Sequence, residues 1–207
     1  MLVEQKGAWG AKALTESGLD PEIGRELERR TKEHGLKALL VKPPGRDPSR
    51  GRSVFLASSV PGSEALEELV LRDPADLLEH DLAPLAAGRL TGVGSPSLGP
   101  LYLVCTNGKR DACCARLGGV VARRLAAARP GRVWECSHLG GHRFAANVVC
   151  LPDGLVYGRV PPERVDELLE SNEEGRVVLD LLRGRSGFPP AAQAAEHFLS
   201  GDGRLVA

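Results

Sequence analysis

The sequence predicts a mixed α/β protein, and three observations support that prediction. Short apolar runs of strand length alternate along the 207 residues with segments whose apolar positions recur at helical spacing. Glycine, serine and proline cluster in VGSPSLGP at 93–100, which is the one plausible boundary between two parts of the chain. Beyond that boundary, strands and helices follow in a specific order. We therefore expect an N-terminal α/β region, either an extension or a subdomain, at 1–98 and a second domain at 99–207.

The N-terminal region contains one clearly marked helix. Asp20 followed by Pro21 supplies an N-cap and a first-turn proline, and the helical spacing continues to a stop at Gly35. These signals predict a helix over about 21–34. Apolar runs bounded by turn-rich segments predict the other elements, which are strands at 36–42, 52–58 and 68–72 and a short helical segment at 73–88.

The second region has a more specific order of elements. Pro152, Asp153 and Gly154 have the composition of a hairpin turn between two apolar runs. The order strand, helix, strand, loop, hairpin, helix is that of a thioredoxin-like fold whose middle helix is shortened or lost. The expected elements are strands at 101–105, 132–137, 147–151 and 155–160 and helices at 120–129 and 161–172.

Two loops of this region hold side chains that bind metals. The loop CTNGKRDACC contains Cys105, Cys113 and Cys114, and the next loop contains His138 and His142 around a Gly-Gly pair. Each glycine costs about 1 kcal/mol inside a helix, so the histidine pair lies on a loop. In a right-handed βαβ unit the loops that follow the two strands open at the same edge of the sheet. The spacing therefore predicts one four-ligand site.

The cysteine pair of this site is either Cys105 with Cys113 or Cys105 with Cys114. Adjacent side chains at a helix start diverge by about 100°, so one of the two neighbouring cysteines is expected to be a small buried hydrophobe. Cys136 and Cys150 lie within apolar strands and are expected in the core.

Two cofactors fit two cysteines and two histidines. Zinc takes such sets in tetrahedral structural sites, usually with cysteines two to four residues apart, and the seven or eight intervening residues here fit that poorly. A [2Fe–2S] cluster accepts two cysteines on one iron and two histidines on the other, as in Rieske centres. Spacing alone favours iron and leaves zinc (Zn²⁺) as the alternative. Imidazole ligands that reach solvent would make the potential of such a cluster depend on pH.

Charge and composition limit the partners. Lysine plus arginine equals aspartate plus glutamate, 27 each, so nothing in the total charge favours nucleic acid or an anionic membrane. The sequence lacks both an apolar run of membrane-spanning length and the pattern of a signal peptide, and its odd number of cysteines suits reduced thiols, so we expect a cytoplasmic protein. Between residues 105 and 132 the sequence has seven basic residues and one acidic residue, Asp111. This excess of positive charge predicts a basic rim that binds an acidic redox partner protein, either a reductase or an acceptor.

The strings CTNGKRDACCARLGG, VWECSHLGGHRFAANVVCLPDGLVYGRV and GRVVLDLLRGRSGFPPAAQAAE resemble the sucrase/ferredoxin-like family, a branch of the thioredoxin-like ferredoxins. The resemblance also reaches LVEQKGAWGAKAL and so covers nearly the whole chain. It implies a [2Fe–2S] cluster and a role in electron transfer. Aligned on Arg110-Asp111, the ligands that the resemblance implies fall on Cys105, Cys114, His138 and His142.

Three functions follow from these observations. The favoured one is a one-electron carrier rather than an enzyme. The second is a zinc-stabilised Cys2His2 binding domain, and the third is a thioredoxin-like thiol oxidoreductase, which would lack the usual C-x-x-C pair. A glycosidase finds no support, because no pair of carboxylates can be nominated for one.

Overall fold

The computed structural model describes residues 1–45 and 51–199, and the strands in these ranges form one ten-stranded sheet. The strands are β1 (Leu2–Glu4), β2 (Leu39–Lys42), β3 (Arg52–Ser58), β4 (Ala65–Leu71), β5 (Ser95–Pro96), β6 (Leu101–Cys105), β7 (Val133–Cys136), β8 (Val148–Leu151), β9 (Leu155–Tyr157) and β10 (Leu182–Arg185). The α-helices are α1 (Pro21–Glu33), α2 (Ala83–Ala86), α3 (Gly119–Ala128), α4 (Val165–Glu173) and α5 (Pro190–Leu199). No helix in the described ranges is long and apolar enough to cross a lipid bilayer.

The second half of the chain has the predicted thioredoxin-like topology. The strand order is β10-β9-β8-β6-β7-β2-β1-β3-β4-β5. Strands β6 and β7 are parallel and joined through α3, whereas β8 pairs antiparallel with β6, and β9 with β8. Helix α4 follows the β8–β9 hairpin. The order of elements read from the sequence is therefore confirmed.

The two faces of the sheet differ in what covers them. Along β6, Tyr102 and Val104 join one apolar cluster with residues of α3 and α4, while Leu103 and Cys105 point to the opposite face. Helix α1 packs through Leu27 on the same face as α3 and α4, but against the N-terminal strands. Helices α1, α3 and α4 therefore lie on one face, which we call the outer face.

The opposite face, which we call the inner face, is the concave side of a curled sheet. The rings of Phe55 on β3 and Trp134 on β7 lie on this face with their centroids 5.1 Å apart. These strands are separated by β2 and β1, and in a flat sheet strands three positions apart are about 14 Å from each other. The closeness of the rings indicates that the sheet curls around its inner face.

Helix α1 confirms the signals that predicted it. The side chain of Asp20 accepts a hydrogen bond from the Glu22 amide at 2.7 Å, Pro21 begins the helix, and Gly35 follows it with a φ of +68°. The segment predicted as helical at 73–88 forms a short 3-10 helix at Pro74–Glu79 and then α2. Four of these strands and helices escaped prediction, namely β1, β5, β10 and α5. Strand β1 has only three residues, too few for a strand pattern to be recognised. Strand β10 has the sequence LRGR, whose two arginines and glycine do not match an apolar strand.

The sheet continues across the boundary predicted near residue 98. Strand β2 of the first half pairs antiparallel with β7 of the second, Val41 opposite Cys136 and Lys42 opposite Glu135. Arg132 also connects the halves. Its guanidinium donates to Glu68 at 2.6 Å, to Ser97 at 2.6 Å and to the carbonyl of Pro100 at 2.9 Å. The division into an N-terminal region at 1–98 and a second domain at 99–207 stays a prediction.

Replacing Arg132 with methionine should lower the free energy of unfolding by about 2 kcal/mol. The change keeps much of the apolar stem but removes charge-assisted hydrogen bonds from partly buried oxygens. Urea denaturation followed by circular dichroism measures the loss. Arg124→Met is the matched control, because Arg124 makes a solvent-exposed pair with Asp166 and should cost less than about 0.5 kcal/mol. Equal losses in the two variants would contradict the structural role of Arg132.

Candidate metal centre

The candidate centre lies where the parallel strands β6 and β7 end. Cys105 is the last residue of β6 and lies opposite Cys136, the last residue of β7. The cysteine loop follows the first strand and the histidine loop follows the second, as the βαβ topology requires. Asn147 connects both sides, since its carbonyl accepts from the Cys105 amide at 3.2 Å and its side chain donates to the Gly141 carbonyl at 3.1 Å.

The cysteine loop folds back on β6 through a capped turn. The side chain of Asp111 accepts a hydrogen bond from the Cys113 amide at 2.8 Å, and the Asn107 carbonyl accepts from the amides of Arg110 and Asp111. Gly118 then lies directly against β6, where a Cβ atom would overlap the carbonyl oxygen of Cys105. This close approach returns Cys114 to the end of the strand.

Three of the four predicted ligands form one cluster. The ligand atoms of Cys105, Cys114 and His138 all lie within 4.8 Å of one another. Both sulfurs belong to buried residues, and His138 is half-buried. Burial, and then the neighbouring Cys105, raises the pKa of the Cys114 thiol to about 12. Burial also lowers the pKa of His138, and the nearby Arg110 and Lys37 add to this effect.

The buried nitrogen of His138 tests whether these residues fit a metal. Its Nδ1 atom is buried without a hydrogen-bond partner among the described residues. An unsatisfied buried nitrogen costs about 1–3 kcal/mol, so a partner at this position would stabilise the site. Thiolates and imidazoles are the donors that zinc and iron–sulfur clusters prefer. The residues present therefore fit either group.

His142 lies at the rim of this cluster rather than inside it. Its side chain is 58% exposed, its Nε2 is 3.9 Å from an oxygen of Asp111, and its ring centroid is 6.2 Å from that of His138. The expected loop is present, with positive φ angles of 98° at Gly140 and 61° at Gly141. The structure thus brings His142 beside the other three residues without placing it in the three-residue group.

The structure separates the two neighbouring cysteines. Cys114 is buried beside Cys105, whereas Cys113 is exposed, so the expectation that the other cysteine of the pair is a small buried hydrophobe is wrong. Cys150 packs in the outer-face core, as predicted. Cys136 is also buried, but it lies in the inner-face cluster with Cys105 and Cys114. Its pKa is raised well above the ordinary value by burial and by these two thiols, and the register of β6 against β7 was the signal that could have placed it there.

The predicted basic rim is partly neutralised. Three of its seven bases form ion pairs with acids on neighbouring elements, namely Arg124 with Asp166, Arg129 with Glu173 and Arg132 with Glu68. The bases nearest the cysteine loop, Lys109, Arg110 and Arg116, are exposed and have no such pair among the described residues.

Comparison with known protein families gives one match over most of the chain. A family model described as sucrase/ferredoxin-like matches residues 2–184. The protein named "Altered inheritance of mitochondria protein 32" from Meyerozyma guilliermondii is 31% identical over 95 residues, which cover 41% of this chain and 34% of that protein. Its namesake from Saccharomyces cerevisiae is 31% identical over 99 residues, covering 40% and 31%. The match thus spans about a third of the length of these curated relatives.

Solved structures of a thioredoxin-like [2Fe–2S] ferredoxin from Aquifex aeolicus also resemble part of the chain. One has a TM-score of 0.39 and 24% identity and covers 45% of this chain and 97% of that chain. The wild-type structure at 1.5 Å has a TM-score of 0.37 and 22% identity, with coverages of 43% and 100%.

Proposed function

Since the chain belongs to the sucrase/ferredoxin-like family, we propose that it holds a [2Fe–2S] cluster and serves as a one-electron carrier. The observation that supports this most directly is the unpartnered buried Nδ1 of His138 beside two buried thiols. The proposed ligands are Cys105, Cys114, His138 and His142. When bound, the cluster would accept and release single electrons at a potential raised by its histidine ligands.

The surrounding residues have distinct tasks in this proposal. The inner-face apolar cluster around Cys105 and Cys114 keeps water from their sulfurs. Lys37 stabilises the histidine loop, because its ammonium group donates to the carbonyls of His138 and Leu139 at 3.4 and 3.3 Å. Exposed His142 would form the solvent side of the centre, which is where a partner can approach. The redox partner of this protein would itself be a protein with an acidic face, which the positive charges of Lys109, Arg110 and Arg116 would attract. The cytoplasmic location expected from the sequence stays a prediction.

Zinc binding is the second candidate, because three donor atoms within 4.8 Å also suit a single ion. Thiol exchange is less well supported. Cys113 is exposed while Cys114 is buried with a raised pKa, so the two thiols do not share an accessible face.

The proposal is tested by purifying the protein without oxygen and recording its visible spectrum with iron, sulfide and zinc analysis. A red-brown protein with about two irons and two sulfides per chain, reduced reversibly by one electron, is the expected result. A colourless protein with stoichiometric zinc would show that the site holds a structural zinc ion instead of a cluster. A protein that binds neither metal would remove both candidates.

Replacing His138 with cysteine should keep the iron and lower the reduction potential by roughly 100 mV or more. A thiolate leaves more negative charge on a cluster than a neutral imidazole does, and all-cysteine clusters have lower potentials than those with two histidines. Protein-film voltammetry measures the shift. His80→Cys, at a half-buried histidine outside both loops, is the control and should not change the potential. An unchanged potential in His138→Cys would exclude His138 as a ligand.

A further inference from the structure

A cavity of about 600 Å³ opens at one end of the curled sheet, next to the histidine loop. Its walls include Leu2, Leu103, Val149 and Val156, which project from four different strands onto the inner face. Leu139, Gly140 and Gly141 of the histidine loop also line it. Cavities of about 300–1,000 Å³ at the mouth of a curled or closed sheet are typical sites for small molecules.

The charges around this cavity have one sign. None of the described residues that line it is an aspartate or glutamate, whereas Lys37 and Arg183 contribute cationic side chains. The other polar side chains of the lining, among them His34, Ser59, Ser186 and Gln193, carry no negative charge. An apolar interior with a basic mouth favours an organic anion over a neutral or cationic molecule.

Arg183 belongs to a group of three arginines gathered on one aromatic ring. The guanidinium carbons of Arg143, Arg159 and Arg183 lie 4.9, 5.2 and 3.5 Å from the centroid of the Phe144 ring, so every pair of these charges is within about 10 Å. None of the three forms an ion pair with a carboxylate in residues 1–45 and 51–199. Burial and the two neighbouring arginines lower the pKa of Arg183, as expected for a cation without a counter-charge.

The backbone around this ring is built to hold the arginines there. Arg159 has a φ of +56°, which is rare for a residue with a side chain, and its amide donates to the Phe144 carbonyl at 2.8 Å. At Gly158, a Cβ atom would lie 2.6 Å from the Cδ of Arg183 and 3.0 Å from the Cβ of Phe144. A side chain at position 158 would therefore displace Arg183 from its present position over the ring.

We propose that this cavity binds a small organic anion, with its apolar body on the inner face and its acidic group on Arg183, supported by Arg143 and Arg159. The proposal does not depend on the [2Fe–2S] cluster. An acidic protein partner could reach the arginines from outside, but it would leave the apolar cavity empty, so a small molecule satisfies both features. The occupant would touch the loop that carries His138 and His142.

The test is calorimetric titration of the purified protein with naphthoate and with decanoate, compared with the neutral naphthylmethanol. We expect saturable binding of at least one acid, and at least tenfold weaker binding of the alcohol, because it lacks the charge-assisted hydrogen bonds to arginine. Arg183→Gln should weaken acid binding at least tenfold. Ala57→Leu, which fills the cavity from its wall, should weaken it similarly.

Two matched variants serve as controls. Arg123→Gln removes an exposed arginine on α3, and Ala127→Leu enlarges an exposed alanine on the same helix, so neither should change the affinity. Unchanged thermal unfolding shows that each variant is folded. If neither acid binds, or if binding survives both Arg183→Gln and Ala57→Leu, the proposal is wrong. If an acidic peptide binds in an Arg183-dependent way while both small acids fail, the arginines are a protein-docking surface instead.

Discussion

Cys114→Ser should abolish iron binding, whereas the same substitution one residue earlier, at Cys113, should leave it intact. Cys114 is buried within 4.8 Å of the Cys105 sulfur and of a His138 nitrogen, but Cys113 is exposed and outside this group. Serine is a poor ligand for iron in comparison with a thiolate, because iron–sulfur clusters are held by soft donors. Loss of the visible absorption bands, with iron falling from about two per chain to near zero, is the expected measurement.

The neighbouring-cysteine pair makes this a sharp comparison. Both substitutions replace the same atom in the same turn, so a general effect on expression or folding should affect both variants alike. Cys105→Ser should behave like Cys114→Ser, because Cys105 supplies the opposing sulfur. Iron loss in Cys113→Ser with retention in Cys114→Ser would reverse the assignment of the ligand. Iron retained in all three variants would exclude the cysteine loop as the binding site.

Gly118→Ala should lower the free energy of unfolding by about 2–3 kcal/mol, although alanine is the better helix former. The backbone of Gly118 is helical, with a φ of −63°, which any residue can adopt. Its backbone conformation therefore does not explain why this position is a glycine. A Cβ atom would overlap the carbonyl oxygen of Cys105, and this backbone contact can be relieved only by moving the start of α3 away from β6. The same movement would separate Cys114 from Cys105, so a lower iron content is expected as well.

Gly119→Ala is the natural control for this prediction. Its φ of −61° is equally helical, but its Cβ would meet only the tip of the Arg123 side chain at 3.7 Å. Alanine should therefore raise the stability by about 0.5–1 kcal/mol. Urea denaturation of the two variants, with iron analysis of each, measures both effects. Equal stabilities would show that α3 can shift without cost, and the packing of the cysteine loop on β6 would then not be what positions Cys114.

Much of the site could be predicted because its geometry follows from local features. The helix signals at Asp20 and Pro21 and the apolar runs before each loop need only neighbouring residues to act. The right-handed crossover then places the ends of β6 and β7 at one edge, so the cysteine and histidine loops meet whatever the rest of the chain does. Ligand chemistry also follows from residue type, since thiols and imidazoles bind the same few metals.

Other features depend on contacts between distant segments. The sequence predicted a thioredoxin-like second half, but not that β2 would extend its sheet through β7. Cys113 and Cys114 are the same residue type at adjacent positions, so residue type does not distinguish them. The packing of Gly118 against β6 buries Cys114 and leaves Cys113 exposed. Cys136 was expected in the core, and only the register of parallel strands places it beside Cys105.

The sequence by itself determined the α/β class, the order of elements in the second half and the set of candidate metal ligands, because these depend on periodicity, turn chemistry and donor type. Tertiary structure decided which donors converge, how the sheet curls and where charge collects. Arg143, Arg159 and Arg183 come from three separate segments and meet only on the ring of Phe144. Such convergence is set by packing and desolvation between residues far apart in the chain, which no local pattern encodes.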